Sequence, residues 1–185
     1  TTFKGTFDGS LSSSADATVN SVTVGKGANS VAGNTVVGES ALDAATTGGN
    51  NVAIGKEALT SLTTGASNTA VGKGSMASQT TASENTAVGK DALYSNTTGS
   101  NNTAIGRDAL VTNTTSSNNT AVGYYALRDN TTGSSNAACG DQALEKNTTG
   151  QLNSAFGAEA LEANTTGSNN TAVGHAALHA NTTAS

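Results

Sequence analysis

The chain is dominated by one internal repeat, and its period is 17 residues. The pattern Asn-x-x-x-Gly recurs nine times at this constant interval, starting at Asn34, Asn51, Asn68, Asn85, Asn102, Asn119, Asn136, Asn153 and Asn170. The typical unit reads N-T-A-V-G-x-x-A-L-x-x-N-T-T-G-x-x. A constant period without insertions indicates a small structural unit that stacks on copies of itself.

The length of this unit limits the fold. Seventeen residues are too few for the paired helices of known helical repeats, which need about 33 residues or more. Frequent Gly, Thr and Asn also disfavour helix. We therefore predict an all-β fold, a parallel β-solenoid of nine 17-residue coils plus one short coil. Each coil is expected to contain two short strands, for example around Thr86-Ala87-Val88 and around Ala92-Leu93-Tyr94.

The constant and variable positions predict which side chains face inward. One predicted buried column is formed by the residues just before each repeat glycine, such as Val88, Ile105, Val122, Cys139 and Phe156. A second is formed by Leu93, Leu110, Leu127 and Leu144. Nearly all charged residues fall in the two positions after the glycine or the two after the leucine, so these positions are expected to face solvent. The repeated asparagines are expected to stack as amide ladders.

The N-terminal part of the chain departs from the repeat. Gly25 and Gly38 are separated by 13 residues rather than 17, so residues 21–33 are interpreted as a short coil that begins the stack. The repeat domain is then 20–185, with 17-residue repeats from 34. Residues 1–19 are interpreted as a cap or joint, with Phe3 and Phe7 packing under the first coil. Thr1 is not an initiator methionine, so we expect a fragment or a processed product.

Composition narrows the function. Leu, Val, Ile and Phe supply only 28 of 185 residues, too few for the layered core of an ordinary enzyme, and we expect no enzymatic activity and no cofactor. The net charge of −5 argues against nucleic acid as a partner. No apolar stretch is long enough for membrane insertion. Because each coil can bury little apolar surface, we expect several chains to share a core as a homo-oligomer.

Two known kinds of protein resemble these repeats. Asn51-Val52-Ala53-Ile54-Gly55 and Asn153-Ser154-Ala155-Phe156-Gly157 are similar to the N-S-V-A-I-G signature of trimeric autotransporter adhesin heads. Those heads are left-handed parallel β-rolls that trimerise, but their repeats are usually shorter. The longer N-T-A-V-G-x-x-A-L-x-x-N-T-T-G form more closely resembles repeats of phage tail-fibre proteins.

The resemblance implies a homotrimeric structural virion protein. It would form the shaft or head of a tail fibre, contact other fibre or virion proteins, and project a receptor-binding tip for host attachment. The first alternative is the head of a bacterial trimeric autotransporter adhesin on the cell surface. The second is an ice- or glycan-binding solenoid. Exposed Tyr94, Tyr124 and Tyr125 are the candidate contacts for a host surface glycan, because aromatic rings can stack on sugars.

Other candidate sites have simpler interpretations. His175 and His179 are four residues apart, but we expect no metal site because that spacing brings two ligands together on a helix, not in a β-coil. Cys139 replaces Val or Ile in the predicted buried column, so we expect a core residue rather than a nucleophile. N-x-[ST] sequons begin at Asn96, Asn113, Asn130, Asn147, Asn164 and Asn181. We interpret these asparagines as turn residues that bond to backbone.

Overall fold

In a computed structural model of the protein, the described residues are 17–19 and 21–185, with 17–19 described for backbone alone. They contain eleven short strands and a single 3₁₀ turn at Ala28–Ser30. The strands are β1 (Ala17–Val19), β2 (Val22–Gly25), β3 (Thr35–Gly38), β4 (Val52–Ile54), β5 (Thr69–Val71), β6 (Thr86–Val88), β7 (Thr103–Ile105), β8 (Thr120–Val122), β9 (Ala137–Cys139), β10 (Ser154–Phe156) and β11 (Thr171–Val173). The described part of the chain has no helix long and apolar enough to span a bilayer.

The strands form one sheet in chain order, and the strands from β3 to β11 are parallel. Between β7 and β8 the register aligns Thr103 with Thr120, and Ile105 with Val122. Partners are 17 residues apart, so each strand lies beside the same part of the next repeat. The predicted parallel β-solenoid is therefore confirmed.

The prediction of a second strand in each coil is wrong. The segment around Ala92-Leu93-Tyr94 consists of turns, and Leu93 has a φ of 54°, in the left-handed region. The equivalent Leu110 and Leu127 have φ values of 52° and 51°. A strand cannot continue through left-handed residues. The turns nevertheless bond between coils, as when the backbone N–H of Leu110 donates to the carbonyl oxygen of Ala126 at 3.1 Å.

The predicted leucine column is confirmed, but the predicted Val/Ile column is wrong. Leu93, Leu110, Leu127 and Leu144 are completely buried. In each strand, however, the middle alanine faces the core, as Ala104 and Ala121 do, while Ile105 remains 40% exposed. Adjacent strand residues face opposite sides, so burial of the alanine places the next residue outside. Val88 and Phe156 are exposed in the same way, and Val122 is half-buried.

Two asparagine ladders run along the solenoid, as predicted. In the first, the side-chain oxygen of Asn102 accepts a hydrogen bond from the backbone N–H of Asn119 at 3.0 Å. In the second, the side-chain nitrogen of Asn113 donates to the side-chain oxygen of Asn96 at 3.0 Å. Among the described residues, every buried side-chain nitrogen and oxygen has a hydrogen-bond partner. The ladders therefore place polar groups in the interior without leaving them unsatisfied.

The segment predicted to form a short first coil does not continue the parallel stack. Strand β2 pairs antiparallel with both β1 and β3, with Val24 opposite Val37. Residues 21–33 therefore reverse the chain direction, and a parallel coil here is a wrong prediction. The proposed cap formed by Phe3 and Phe7 lies outside the described residues.

Candidate functional site

One surface of the solenoid is the outward side of the sheet. It is formed by the first and third residues of each three-residue strand and their equivalents in β3, and we call it the open face. Its third-position side chains are mostly large and apolar. Those exposed by 37% to 46% are Val37, Ile54, Val88, Ile105 and Phe156, and Val173 in β11 is 73% exposed. The open face therefore presents an apolar row along the length of the solenoid.

Cys139 belongs to this row and not to the core. It is exposed as the third residue of β9, directly beside Val122 in β8 and Phe156 in β10. The prediction of a buried core cysteine is therefore wrong. The residue buried in this strand is its neighbour Ala138.

A second surface carries the charged side chains that follow each repeat glycine and each leucine, and we call it the charged edge. The prediction that these positions face solvent holds for most of them. Ion pairs here either join successive coils or link sequence neighbours. They include Lys56–Glu39 at 3.0 Å, Lys90–Asp91 at 2.8 Å, Arg107–Asp108 at 2.9 Å and Lys146–Glu162 at 2.7 Å. Exposed pairs of this kind contribute little to stability individually.

Glu145 is the buried exception on the charged edge, with its side chain only 7% exposed. Burial raises the pKa of its carboxyl group, and the neighbouring Arg128 guanidinium, which pairs with it, acts in the opposite direction. Arg128 also holds Asp129 through two hydrogen bonds, of 2.8 and 3.0 Å. The bond to Asp129 is the main reason that the pKa of Arg128 is raised above its usual value.

Tyr124 and Tyr125 stack on each other, with ring centroids 3.9 Å apart. Arg107 lies 5.7 Å from the Tyr124 ring centre, and Arg128 lies 4.9 Å from that of Tyr125. The hydrogen bond between the two tyrosines raises the pKa of Tyr124. Each ring thus already contacts the other ring and an arginine, which leaves less of it for a glycan than the sequence suggested.

Tyr94 lies apart from that pair, beside an open cleft of about 310 Å³ on the charged edge. Tyr94 is 42% exposed. The cleft is lined by Glu57, Lys73, Asp91, Tyr94, Asp108 and Val111. The sequence identified Tyr94 as a candidate but did not identify the cleft. These lining residues become neighbours only when four successive coils stack.

The two histidines do not form a site together. His179 instead contacts Glu162 at 2.8 Å and lies 4.0 Å from Glu159. The potential ligand atoms of these three residues lie within 4.8 Å of one another, a spacing that could hold a metal ion. Sequence reasoning missed this cluster, although the 17-residue offset between Glu162 and His179 was a usable signal. Glu162 is also bound by Lys146, so an ion-pair network accounts for the arrangement.

The sequon asparagines are turn residues, as predicted. From Asn96 to Asn164 they are fully buried, and the side-chain nitrogen of Asn96 donates to the Gly99 carbonyl oxygen at 2.9 Å. The first threonine of most Thr-Thr pairs is also engaged, since the Thr97 hydroxyl donates to the carbonyl oxygen of Thr114 at 3.0 Å. That leaves the second threonine, such as Thr98, as the exposed member of the pair.

Comparison with known proteins found no matching family model, curated protein or solved structure.

Proposed function

We propose that this chain is a structural protein that associates with copies of itself, as the shaft or head of a phage tail fibre that projects a receptor-binding tip. The observation that carries the proposal is the apolar row on the open face. Val88, Ile105 and Phe156 are large apolar side chains exposed on the same side of strands β6, β7 and β10. A continuous apolar row of this kind is typical of an interaction surface.

The open face also suggests how chains would join. The interior of each chain is already filled by Ala and Leu. The chains therefore need not share one core, which the small apolar content of each coil had led us to expect. The apolar row would instead pack against the same row of identical chains around a common axis. Because every chain uses the same face around this axis, the assembly is symmetric and closed. The number three, the left-handed coil and the location in a virion rest on the resemblance to phage fibres and adhesin heads.

A mechanical role is supported by the bonding between coils. Backbone hydrogen bonds join successive coils at the strands and at the turns, for example from Thr103 to Asn119 at 2.8 Å and from Gly106 to Val88 at 2.8 Å. The asparagine ladders add side-chain bonds in the interior. Bending the stack would stretch several of these bonds at once. Such a body suits the projection of a binding tip, and the proposed role includes no catalysis.

The first alternative, a head of a bacterial surface adhesin, would use the same open face for assembly. The two differ in where the protein acts, namely on the virion or on the bacterial cell surface. An ice-binding role is less well supported, because the Thr97 and Thr131 hydroxyls donate to carbonyl oxygens of the next coil. The glycan-binding alternative is favoured by the cleft beside Tyr94.

Self-association is tested by sedimentation equilibrium and by melting over a wide range of protein concentrations. We expect the wild-type chain to form trimers and its melting temperature to rise with concentration, because association stabilises the folded chain by mass action. Ile105→Lys places a charge in the apolar row and should yield a folded monomer. Lys90→Glu, on the charged edge, is the matched control and should remain trimeric. A folded wild-type monomer with a concentration-independent melting temperature would refute the proposed assembly.

A further inference from the structure

The cleft beside Tyr94 exists because one coil has small residues where its neighbours have large ones. Gly74 occupies the position that Glu57 and Asp91 occupy one coil before and one coil after it. Ala77 likewise precedes Tyr94 by one repeat. Longer side chains on both sides of this coil therefore border a notch of about 310 Å³. This volume is at the lower end of the range for small-molecule sites.

The side chains of Asp91 and Tyr94 lie close to Gly74. A methyl group on its Cα would lie 2.3 Å from the Oδ1 atom of Asp91 and 3.4 Å from the Cδ2 atom of Tyr94. A side chain at position 74 would therefore clash with the carboxylate and meet the ring. The glycine leaves the space that the carboxylate and the edge of the aromatic ring occupy at this point on the surface.

The polar groups that line the cleft differ in whether they are already paired. Asp91 bonds to Lys90 at 2.8 Å, and Asp108 bonds to Arg107 at 2.9 Å. Among the described residues, neither Glu57 nor Lys73 has an ion-pair partner. The cleft therefore offers one carboxylate as an acceptor and one ammonium group as a donor, and their charges balance.

The Tyr94 ring is also available, because no described aromatic ring or arginine stacks on it. Tyr124 and Tyr125, by contrast, are occupied by each other and by arginines. A ligand for this cleft thus needs an apolar face for the ring, together with groups that can both donate and accept hydrogen bonds. It also needs little net charge. Sugar rings have all three properties.

We propose that the cleft beside Tyr94 binds one sugar residue of a glycan. The Tyr94 ring stacks on the apolar face of the sugar, Glu57 accepts a hydrogen bond from a hydroxyl group, and Lys73 donates one to a sugar oxygen. The cleft lies on the charged edge and the apolar row on the open face, so this proposal does not depend on self-association. A divalent cation suits the cleft less well, because two of its three carboxylates are paired and Lys73 lines it too.

The probe is a panel of free sugars, namely glucose, galactose, mannose, N-acetylglucosamine and N-acetylgalactosamine. Binding is detected by saturation-transfer NMR, and the strongest ligand is then titrated against the full chain. We expect at least one sugar to bind. Tyr94→Ala should weaken that sugar by about tenfold or more, because it removes the stacking ring. Alanine occurs naturally at the equivalent position 77, so this variant is expected to fold.

Three further variants separate the roles of the groups. Tyr94→Phe keeps the ring and should bind within about twofold of the wild type. Tyr124→Ala removes an aromatic ring outside the cleft and should also bind within about twofold. Glu57→Gln should weaken binding, since a neutral amide is the poorer acceptor. Circular dichroism melting of each variant confirms that the fold is retained.

Several outcomes would overturn the proposal. One is the absence of saturation transfer to every sugar of the panel. Another is wild-type affinity in Tyr94→Ala, or an equal loss in Tyr124→Ala. A third is Ca²⁺ binding that depends on Glu57 in a protein that binds no sugar. Monomeric wild-type protein that still binds sugar through Tyr94 would refute the proposed assembly but leave this site intact.

Discussion

Gly106 lies directly against Gly123 of the next coil, so closely that a methyl group on its Cα would be 2.3 Å from the Gly123 carbonyl oxygen. The same contact recurs between successive repeat glycines along the solenoid. It explains why this position is glycine in every repeat: the backbone has a φ of 134° here, and the next coil leaves no room for a side chain.

Two requirements act at this position, a positive φ and the lack of space beside the next coil. A matched pair of substitutions separates them. Gly174 also has a positive φ, of 122°, but a methyl group there would meet nothing within 4 Å. We expect Gly174→Ala to cost about 1–3 kcal/mol through backbone strain alone. Gly106→Ala should cost clearly more, because it also pushes two coils apart. Urea unfolding of both variants checks this, and equal losses would show that the contact with Gly123 is unimportant.

Removing one buried amide of the first asparagine ladder should lower the free energy of unfolding by a large amount. Asn102→Ala would leave the buried backbone N–H of Asn119 without its partner. It would also remove one of the two side-chain hydrogen bonds that the carbonyl oxygen of Ser116 accepts, since Asn113 still donates to it. Each unsatisfied buried group costs about 1–3 kcal/mol. Thr132→Ala, on the exposed surface, is the control and should change the free energy of unfolding by less than about 0.5 kcal/mol. Similar stabilities for the two variants would contradict the conclusion that the ladder stabilises the fold.

Neighbouring residues of β8 give a direct test of which side of the sheet is buried. Ala121→Asp should unfold the chain, because an unpaired carboxylate in the core costs several kcal/mol. Val122→Asp places the same charge on the open face, so the single chain should stay folded while self-association is lost. Circular dichroism and sedimentation distinguish the two results. Unfolding of Val122→Asp with a folded Ala121→Asp would reverse our assignment of the two faces.

The contribution of Glu162 to the free energy of unfolding should depend on pH. Its hydrogen bond to Lys146 is the main cause of the lowered pKa of its carboxyl group. The ionised Glu162 carboxylate therefore stabilises the folded chain fully above the ordinary glutamate pKa of about 4.3. This stabilisation is lost as the pH falls through the lowered pKa of Glu162 in the folded chain. Glu162→Gln should be less stable than the wild type at pH 7, and the difference should vanish in acid.

The comparison with Glu162→Gln is made by urea unfolding at a series of pH values. Glu145 has the opposite dependence, because its pKa is raised, mainly by burial and also by the charge of Glu162. Repeating the comparison in chains that carry Glu145→Gln removes this contribution. A stability difference that stays constant down to the lowest pH would mean that the ion pair does not contribute.

The period and most of the architecture could be predicted from the order of the residues alone. A repeat of 17 residues with one strand-forming Thr-Ala-Val segment predicts parallel strands in register, and the structure places Thr103 beside Thr120 in that way. The asparagine ladders follow from the same periodicity, because identical side chains stack when identical coils stack. The burial of Leu110 and Leu127 was also predictable, since these positions stay apolar while their neighbours vary.

Which side of each strand faces inward depends on the packing of the folded coils. Alternation shows that Ala104 and Ile105 point to opposite sides, and hydrophobicity alone favoured burial of the larger residue. The interior of a coil is already filled by leucine, so the methyl group of alanine fits there and isoleucine remains outside. Close packing within the whole coil overrides the preference of the single residue.

The surfaces that suggest function also depend on how the coils fold and stack. The leucines adopt left-handed conformations that local preferences disfavour, and these turns close each coil. The cleft beside Tyr94 joins residues of four coils around Gly74, and the apolar row joins residues of nine strands. Residues 17 apart become neighbours only when the coils stack, so the sequence could name Tyr94 and Ile105 but not what lies beside them.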